Sequence, residues 1–137
     1  MSVWLTGVHH VTAMAKDPLR TREFYERVLG LRLVKRTVNF DDPTAHHLYY
    51  ADRVGSPGTV LTFFPYPSIA PGQPGAGEAS LTTLCAPEGS LGFWSQRLDA
   101  RDVSTRRERT GDGERLLFED PSGMRLAVVE APEIGRA

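Results

Sequence analysis

The fold of this 137-residue chain is decided by residues 8–38, which read VHHVTAMAKDPLRTREFYERVLGLRLVKRTV. The first part, Val8–Met14, carries no formal charge and is rich in β-branched and small side chains, which predicts a strand. Apolar residues then recur with a helical period over Leu19–Leu29, and Gly30 ends that amphipathic helix. A second strand is predicted at Leu31–Val38, so the stretch reads strand, helix, strand.

Two more strands follow this stretch, at His46–Ala51 and Thr59–Pro65, and they give the order β, α, β, β, β. Residues 65–77 then contain four prolines and three glycines. This composition is typical of a linker that runs over the surface.

The second half of the chain repeats the first. An offset of 69 residues aligns Phe24-Tyr25 with Phe93-Trp94, Pro18 with Pro87, Leu29 with Leu98 and Val34 with Val103. Near the end the offset falls to 65, which aligns Gly58 with Gly123 and Leu61 with Leu126. The sequence therefore predicts a duplicated βαβββ module, with module one at residues 7–66, the linker at 66–77 and module two at 78–131.

We expect the two modules to make one α+β domain over residues 1–137. Each module has a sheet that is apolar on one face and a helix to cover it, and combining the modules into one curved mixed sheet would leave a concave pocket. The aromatic pairs Phe24-Tyr25 and Phe93-Trp94 are expected to anchor the helices on the sheet.

The charge balance indicates a small-molecule partner. Sixteen Lys and Arg stand against 17 Asp and Glu, a formal net charge of -1, which argues against nucleic acid and anionic membranes as partners. The single cysteine, Cys85, lies in an apolar run and is expected to be a buried thiol. Neither a signal segment nor a long apolar run is evident, so the chain is expected to be soluble and cytoplasmic.

Residues that can carry chemistry lie on two of the predicted strands. His9 and His10 are adjacent, so on a strand they point to opposite faces and one of them faces the interior. His47 and Tyr49 alternate with Leu48 and share a face. Two interpretations of His47 stay open: a site group that binds a substrate oxygen, or an interior histidine satisfied by backbone groups.

These motifs give the chain a family resemblance. It resembles the vicinal oxygen chelate superfamily of glyoxalases, bleomycin-resistance proteins and extradiol dioxygenases. Within that superfamily it is most similar to the first half of ring-cleaving dioxygenases that act on hydroquinone-type substrates. The motifs that carry the resemblance are Val8-His9-His10-Val11-Thr12, Val28-Leu29-Gly30-Leu31, Val34-Lys35-Arg36-Thr37-Val38-Asn39, His47-Leu48-Tyr49-Tyr50-Ala51-Asp52 and Gly55-Ser56-Pro57-Gly58-Thr59.

The resemblance implies a divalent metal, Fe(II) or Mn(II), with His10 as one of its ligands. It implies a catalytic role for His9, close to the ligand or the substrate, and a small aromatic substrate that is hydroquinone- or catechol-like. If the face of His47 and Tyr49 is the concave one, His47 is a second catalytic candidate and Tyr49 lines the pocket. Thr12, which faces the same way as His10, and Thr62, at the strand-end position, are the other expected pocket residues.

The other ligand positions of the family hold residues that cannot bind a metal well. The repeat aligns His10 with Ala79, or with Leu81 if the strand slips by two residues. The strand-end positions that usually hold Glu are Thr62 and Ala127. Glu130 lies three residues beyond Ala127, so it faces the other way and is expected to be a solvated charge.

Three interpretations follow from this incomplete ligand set. A second paired-module chain could supply the missing His and Glu, as the second half of the resembled enzymes does, so that this chain is one half of a split dioxygenase. A homodimer is expected, but a symmetric dimer repeats the same deficient set. The second interpretation is that the protein is a half-site relic. The third is that the chain is a metal-free binding module of the bleomycin-resistance type, with no cofactor.

Overall fold

The computed structural model describes Leu5 and residues 7–131, and the chain divides into two compact units at residues 1–70 and 71–137. The first unit contains β1 (His10–Ala15), α1 (Pro18–Arg22), a π-helical segment (Glu23–Val28), β2 (Arg32–Val38), β3 (His46–Ala51) and β4 (Val60–Pro65). The second contains β5 (Thr82–Ala86), α2 (Leu91–Asp99), β6 (Arg106–Thr110), β7 (Gly113–Glu119) and β8 (Arg125–Glu130).

Each unit is a βαβββ module, which confirms the predicted α+β class and the duplication. The strand orders are β1-β4-β3-β2 and β5-β8-β7-β6, and in both the first strand pairs in parallel with the last. Backbone pairing thus gives two four-stranded sheets, where the sequence analysis predicts one continuous curved sheet. The single domain and the concave pocket stay predictions.

The side chain of Asp17 sets where α1 begins. Its Oδ1 accepts hydrogen bonds from the backbone N–H groups of Leu19, at 2.9 Å, and Arg20, at 3.2 Å. Pro18 occupies the first turn, where its missing N–H costs no hydrogen bond. The helix therefore starts at the Asp-Pro pair that precedes the predicted amphipathic stretch.

The π-helical segment supplies the aromatic core of the first unit. Leu29 N donates to Phe24 O, five residues back, over 3.0 Å. The fully buried Tyr25 ring lies 4.6 Å from the Phe63 ring and 5.5 Å from the Tyr50 ring, measured between centroids. The helix thus covers one face of the sheet, and the alternate residues of each strand point to the opposite face.

Two expectations about side-chain burial are wrong. Phe93 is 58% exposed, because the buried side of α2 carries Leu91 and Leu98, and a residue two positions after Leu91 lies on the far side of the helix. Cys85 is exposed rather than buried, since it alternates along β5 with Leu84 and Ala86.

Two neighbouring tyrosines of β3 allow a test of this packing. Tyr50 Oη is buried with no hydrogen-bond partner among the described residues, and burial raises the pKa of Tyr50 to about 12. Because an unpaired buried hydroxyl is costly, Tyr50→Phe is expected to raise the free energy of unfolding by about 1 kcal/mol. Tyr49→Phe removes a hydroxyl that is bonded to His47 and is expected to lower it by about 1 kcal/mol. Urea denaturation measures both values, and equal losses in the two variants would contradict this account of the core.

Candidate functional site

The candidate site lies on the face of the first sheet that the helix leaves uncovered. In the pairing register, Thr12 lies opposite Thr62, and Thr62 lies opposite Tyr49. His10 and His47 lie two residues from Thr12 and Tyr49 on their own strands and therefore share this face. The structure thus brings together five of the six residues that the sequence analysis names for the site: His10, Thr12, His47, Tyr49 and Thr62.

Four of these side chains form a continuous hydrogen-bonded chain, which we call the polar row (Thr12, Thr62, His47 and Tyr49). The Oγ1 atoms of Thr12 and Thr62 lie 2.8 Å apart. Thr62 Oγ1 lies 2.9 Å from His47 Nε2, and Tyr49 Oη lies 2.9 Å from His47 Nδ1. Since both ring nitrogens of His47 bond to side chains, the interpretation of His47 as satisfied by backbone groups is wrong.

The environment of His47 favours its neutral form. Burial lowers the pKa of His47, and the nearby charges of His10 and Lys35 lower it further. The imidazole ring stacks on Phe64 with centroids 4.0 Å apart. Lys35 Nζ lies 5.3 Å from the centre of the Tyr49 ring, at the β2 end of the polar row.

His9, the sixth candidate, contacts His10 directly. It lies just before β1, and its Nδ1 is 3.1 Å from the Nδ1 of His10, with the two rings nearly perpendicular. One of these nitrogens must donate and the other accept. Among the described residues, His10 Nε2 has no hydrogen-bond partner. If His10 is the donor, its Nε2 carries a free lone pair, which is how a ligating histidine is oriented by a neighbour.

The β3–β4 turn holds the backbone at this histidine pair. Gly58 N donates to His9 O over 2.7 Å, and Gly58 has a φ of +84°, a conformation that glycine adopts without strain. A Cβ at this position would lie 3.5 Å from the carbonyl oxygen of Val8. The turn therefore positions the start of β1.

A single carboxylate organises the turn. Backbone hydrogen bonds from Ser56 first, and from Val54, lower the pKa of Asp52 to about 2. The second module repeats the arrangement at Asp120, whose Oδ1 accepts from Ser122 N at 2.8 Å and Met124 N at 2.9 Å. At both aspartates the donor N–H groups belong to the second and fourth residues that follow, so the two modules share one type of turn.

The second module does not repeat the polar row. Its register pairs Thr83 with Ala127 and Ala127 with Leu117. The positions of Thr12, Thr62, Tyr49 and His47 are therefore taken by Thr83, Ala127, Leu117 and Arg115. The same register aligns His10 with Leu81 and decides against Ala79.

The described residues do not make a complete metal site. No group of three or more His, Cys, Asp or Glu that could hold a metal occurs in this part of the chain. Thr62 is fully buried, and its hydroxyl is bonded on two sides. Glu130 is not merely a solvated charge, because its Oε1 accepts a 2.7 Å hydrogen bond from Leu91 N at the start of α2. Of the positions considered, His10 offers a nitrogen for a metal.

The second unit contains a separate cleft of about 830 Å³. Its lining includes Thr83, Leu91, Arg107 and Glu114, and none of the predicted site residues. Arg107 lies 3.5 Å from Glu114, so at least part of the charge in the cleft is paired internally.

Comparison with known proteins decides the family. The family model described as the glyoxalase, bleomycin resistance protein and dioxygenase superfamily matches residues 7–128. The chain belongs to this superfamily. The resemblance seen in the sequence motifs is thereby confirmed.

Relatives of this superfamily member include proteins named for ring cleavage. MhqE of Bacillus subtilis (strain 168), whose name assigns it to the ring-cleaving dioxygenases, is 46% identical over 132 residues, which cover 96% of this chain and 43% of MhqE. The chlorohydroquinone/hydroquinone 1,2-dioxygenase of Sphingobium indicum is 33% identical over 134 residues, which cover 95% of this chain and 42% of that enzyme. This superfamily member thus spans less than half the length of these curated relatives.

A solved structure supports the fold of this superfamily member. A crystal structure described as a dioxygenase from Bacillus subtilis matches with a TM-score of 0.90 and 42% sequence identity. The match covers 93% of this chain and 41% of that one. Among the helices that the structure describes, none has the length and apolar character needed to cross a membrane.

Sequence reasoning missed the bonds that join the candidate residues. Thr62 is predicted as a pocket residue at a position that lacks the usual carboxylate, and not as the link between Thr12 and His47, which lie 50 and 15 residues away from it. Sequence reasoning also missed the carboxylate that organises the turn after Asp52. The Asp, Ser, Pro, Gly composition shared by the turns at Asp52 and Asp120 was the available signal.

Acid should remove the contribution of Asp52 to stability. The folded-state pKa of about 2 lies below the ordinary value of 3.8, so the stabilisation is present above pH 4 and is lost as the pH falls from 4 to 2. The urea midpoint of the wild type is expected to exceed that of Asp52→Asn at pH 6, and the gap should close toward pH 2. A gap that does not change over this range would contradict the role of the carboxylate.

Proposed function

We propose that this chain contributes His10, and the sheet face beside it, to a metal-dependent site for ring-cleaving dioxygenase chemistry on a small hydroquinone- or catechol-like molecule. The His9–His10 contact carries the proposal, because it leaves one nitrogen of His10 free on the same face as a row of hydroxyl groups. Relatives that match almost the whole of this chain are named as ring-cleaving or hydroquinone dioxygenases, and these names support the reaction class.

The metal of this proposal is Fe(II) or Mn(II), for which neutral imidazole and carboxylate are suitable ligands. When bound, such a metal lowers the proton affinity of a coordinated phenol and activates dioxygen. The described residues supply one ligand, so we propose that a second paired-module unit supplies the remaining His and Glu. That unit is either a further part of the same protein or a separate chain. A homodimer of this module alone does not complete the set, since it repeats the same residues.

The residues of this chain then have distinct tasks. We propose that, in the 3.1 Å contact between the two Nδ1 atoms, His9 accepts from His10 and holds the ring in the tautomer whose Nε2 is free. Thr12 presents a hydroxyl on the same strand face, about 6.6 Å along the backbone from His10, where it can bond a phenolic oxygen. The cytoplasm is the proposed location.

A second candidate function is metal-free binding of a small aromatic molecule. One observation favours it: positions that would carry further ligands hold Leu81, Thr62 and Ala127, and the Thr62 hydroxyl is already bonded on two sides. In that case the polar face would bind the molecule through hydrogen bonds without a cofactor.

Metal analysis separates the two candidates. Protein purified without chelators from its native source, with any partner it retains, is expected to contain near-stoichiometric iron or manganese. His10→Ala should lose at least about nine-tenths of this metal, as the removal of a direct ligand from a three-ligand site implies. His46→Ala, which changes an exposed histidine on the other face of β3, should keep it. Metal-free wild-type protein that still binds hydroquinone would overturn the dioxygenase proposal in favour of the binding module.

A further inference from the structure

The polar row crosses three strands without a break. It starts at Tyr49 on β3, passes through His47 to Thr62 on β4 and ends at Thr12 on β1. Each of its three contacts is between 2.8 and 2.9 Å, within the normal range for strong hydrogen bonds. Its ends differ: Tyr49 is half-buried near Lys35, and Thr12 is exposed on the strand that carries His10.

The number of hydrogens allows the row two directions. Thr62 has one hydroxyl hydrogen and two bonded neighbours, so in a continuous row it accepts from one and donates to the other. Each direction corresponds to one neutral tautomer of His47. With the proton on Nε2, Tyr49 donates to His47, His47 to Thr62 and Thr62 to Thr12, so that Thr12 can give a proton to the open face. With the proton on Nδ1, every donor and acceptor is exchanged, and Thr12 can take a proton from the open face.

The fold itself does not require this row. The second module forms the same strand pairs with Ala127 in place of Thr62 and Leu117 in place of Tyr49. A buried threonine that bonds two partners could serve the fold alone. However, the equivalent strand of the second module, β8, forms the same pairs with alanine at this position. The polar row is therefore specific to the module that carries His10.

We propose that the polar row is a proton relay that connects a phenol bound beside His10 with solvent at Tyr49. This inference rests on the proposed function, because it needs a phenolic molecule on the open face. His47 and Thr62 act as positioning and relay residues, and Thr12 is the residue that touches the phenol.

The transfer balances without any oxidant or reductant. In one direction Thr12 gives its proton to a basic oxygen on the face and takes the proton of Thr62. Thr62 takes the Nε2 proton of His47, whose Nδ1 takes the proton of Tyr49, and the phenolate of Tyr49 is reprotonated by water. The reverse sequence starts from the Nδ1 tautomer of His47 and moves a proton from a bound phenol to solvent. Four O–H or N–H bonds within the row break and four form, and one proton crosses.

Two features of the environment support this use. A relay histidine must be neutral so that it can accept at one nitrogen while it donates at the other. Burial lowers the pKa of His47, which favours that form. Stacking on Phe64 holds the ring in the plane that both hydrogen bonds need.

Binding of 4-nitrocatechol to the natively purified protein tests the relay, because the colour of this probe reports its ionisation. Stopped-flow absorbance is expected to show ionisation of the bound probe after binding. Tyr49→Phe and Thr62→Val should slow that step about a hundredfold, the lower end of what a positioned proton-transfer group contributes.

Matched variants separate the relay from folding. Thr62→Ser keeps a hydroxyl and should restore most of the rate lost in Thr62→Val. Tyr50→Phe, on the helix-covered face, should ionise the probe at the wild-type rate. Unchanged ionisation in both Tyr49→Phe and Thr62→Val, with the probe bound, would overturn the relay and leave the proposed function intact. Failure of the wild type to bind any phenol would overturn the proposed function, and the relay with it.

A measurement on the protein without probe or metal tests the resting arrangement. Nitrogen-15 NMR of the imidazole rings is expected to show His47 as a neutral ring with its proton on Nδ1, the tautomer that can take a proton from a bound phenol. Tyr49→Phe should shift the ring toward a mixture of tautomers, because Nδ1 loses its hydrogen-bond partner. A doubly protonated His47 at neutral pH would overturn the relay, because neither nitrogen could then accept.

Discussion

Parallel pairing between the first and last strands of a module is the constraint on which this molecule depends. It brings Thr12 within 2.8 Å of Thr62, fifty residues away, and fixes which side chains share each face. Because side chains alternate along a strand, the same register buries Tyr50 and Phe63 under the helix and turns Tyr49 and Thr62 to the open face. A slip of one residue would exchange the aromatic core with the polar row.

The sequence could predict the elements and the face, because both follow from local periodicity. The strand at His46–Ala51 has the bounds that its alternation predicts, and the Asp17-Pro18 pair marks the start of α1. The bonds within the site could not be predicted, because each depends on a distant partner. The cap that Glu130 gives to Leu91 spans 39 residues and replaces the side-chain cap that Ser90 does not provide. Phe93 shows a second limit of prediction from the sequence. The repeat aligns Phe93 with the buried Phe24, but it does not show which face of each helix packs on the sheet.

The duplication supplies an internal comparison that a single module would lack. Both modules keep the turn carboxylate, at Asp52 and Asp120, and both keep the parallel strand pair. Features shared in this way are required to build the module. The modules differ on the open face, where Thr62 and Tyr49 of one correspond to Ala127 and Leu117 of the other. Strand pairing alone does not account for that difference, because the same pairing accommodates both sets.

Under the proposed function, the histidine pair and the polar row address complementary needs of a phenol-binding site. A metal ligand requires a neutral imidazole with a free lone pair, and the contact between His9 and His10 can hold that tautomer without a carboxylate. A bound phenol changes its protonation, so its proton needs a route that does not disturb the ligand. Under the proposed relay, the polar row provides such a route through side chains alone, from β3 through β4 to Thr12 on β1, the strand that also carries His10. The other three residues of the row lie on strands different from that of His10, so His10 and most of the row are held by separate hydrogen bonds.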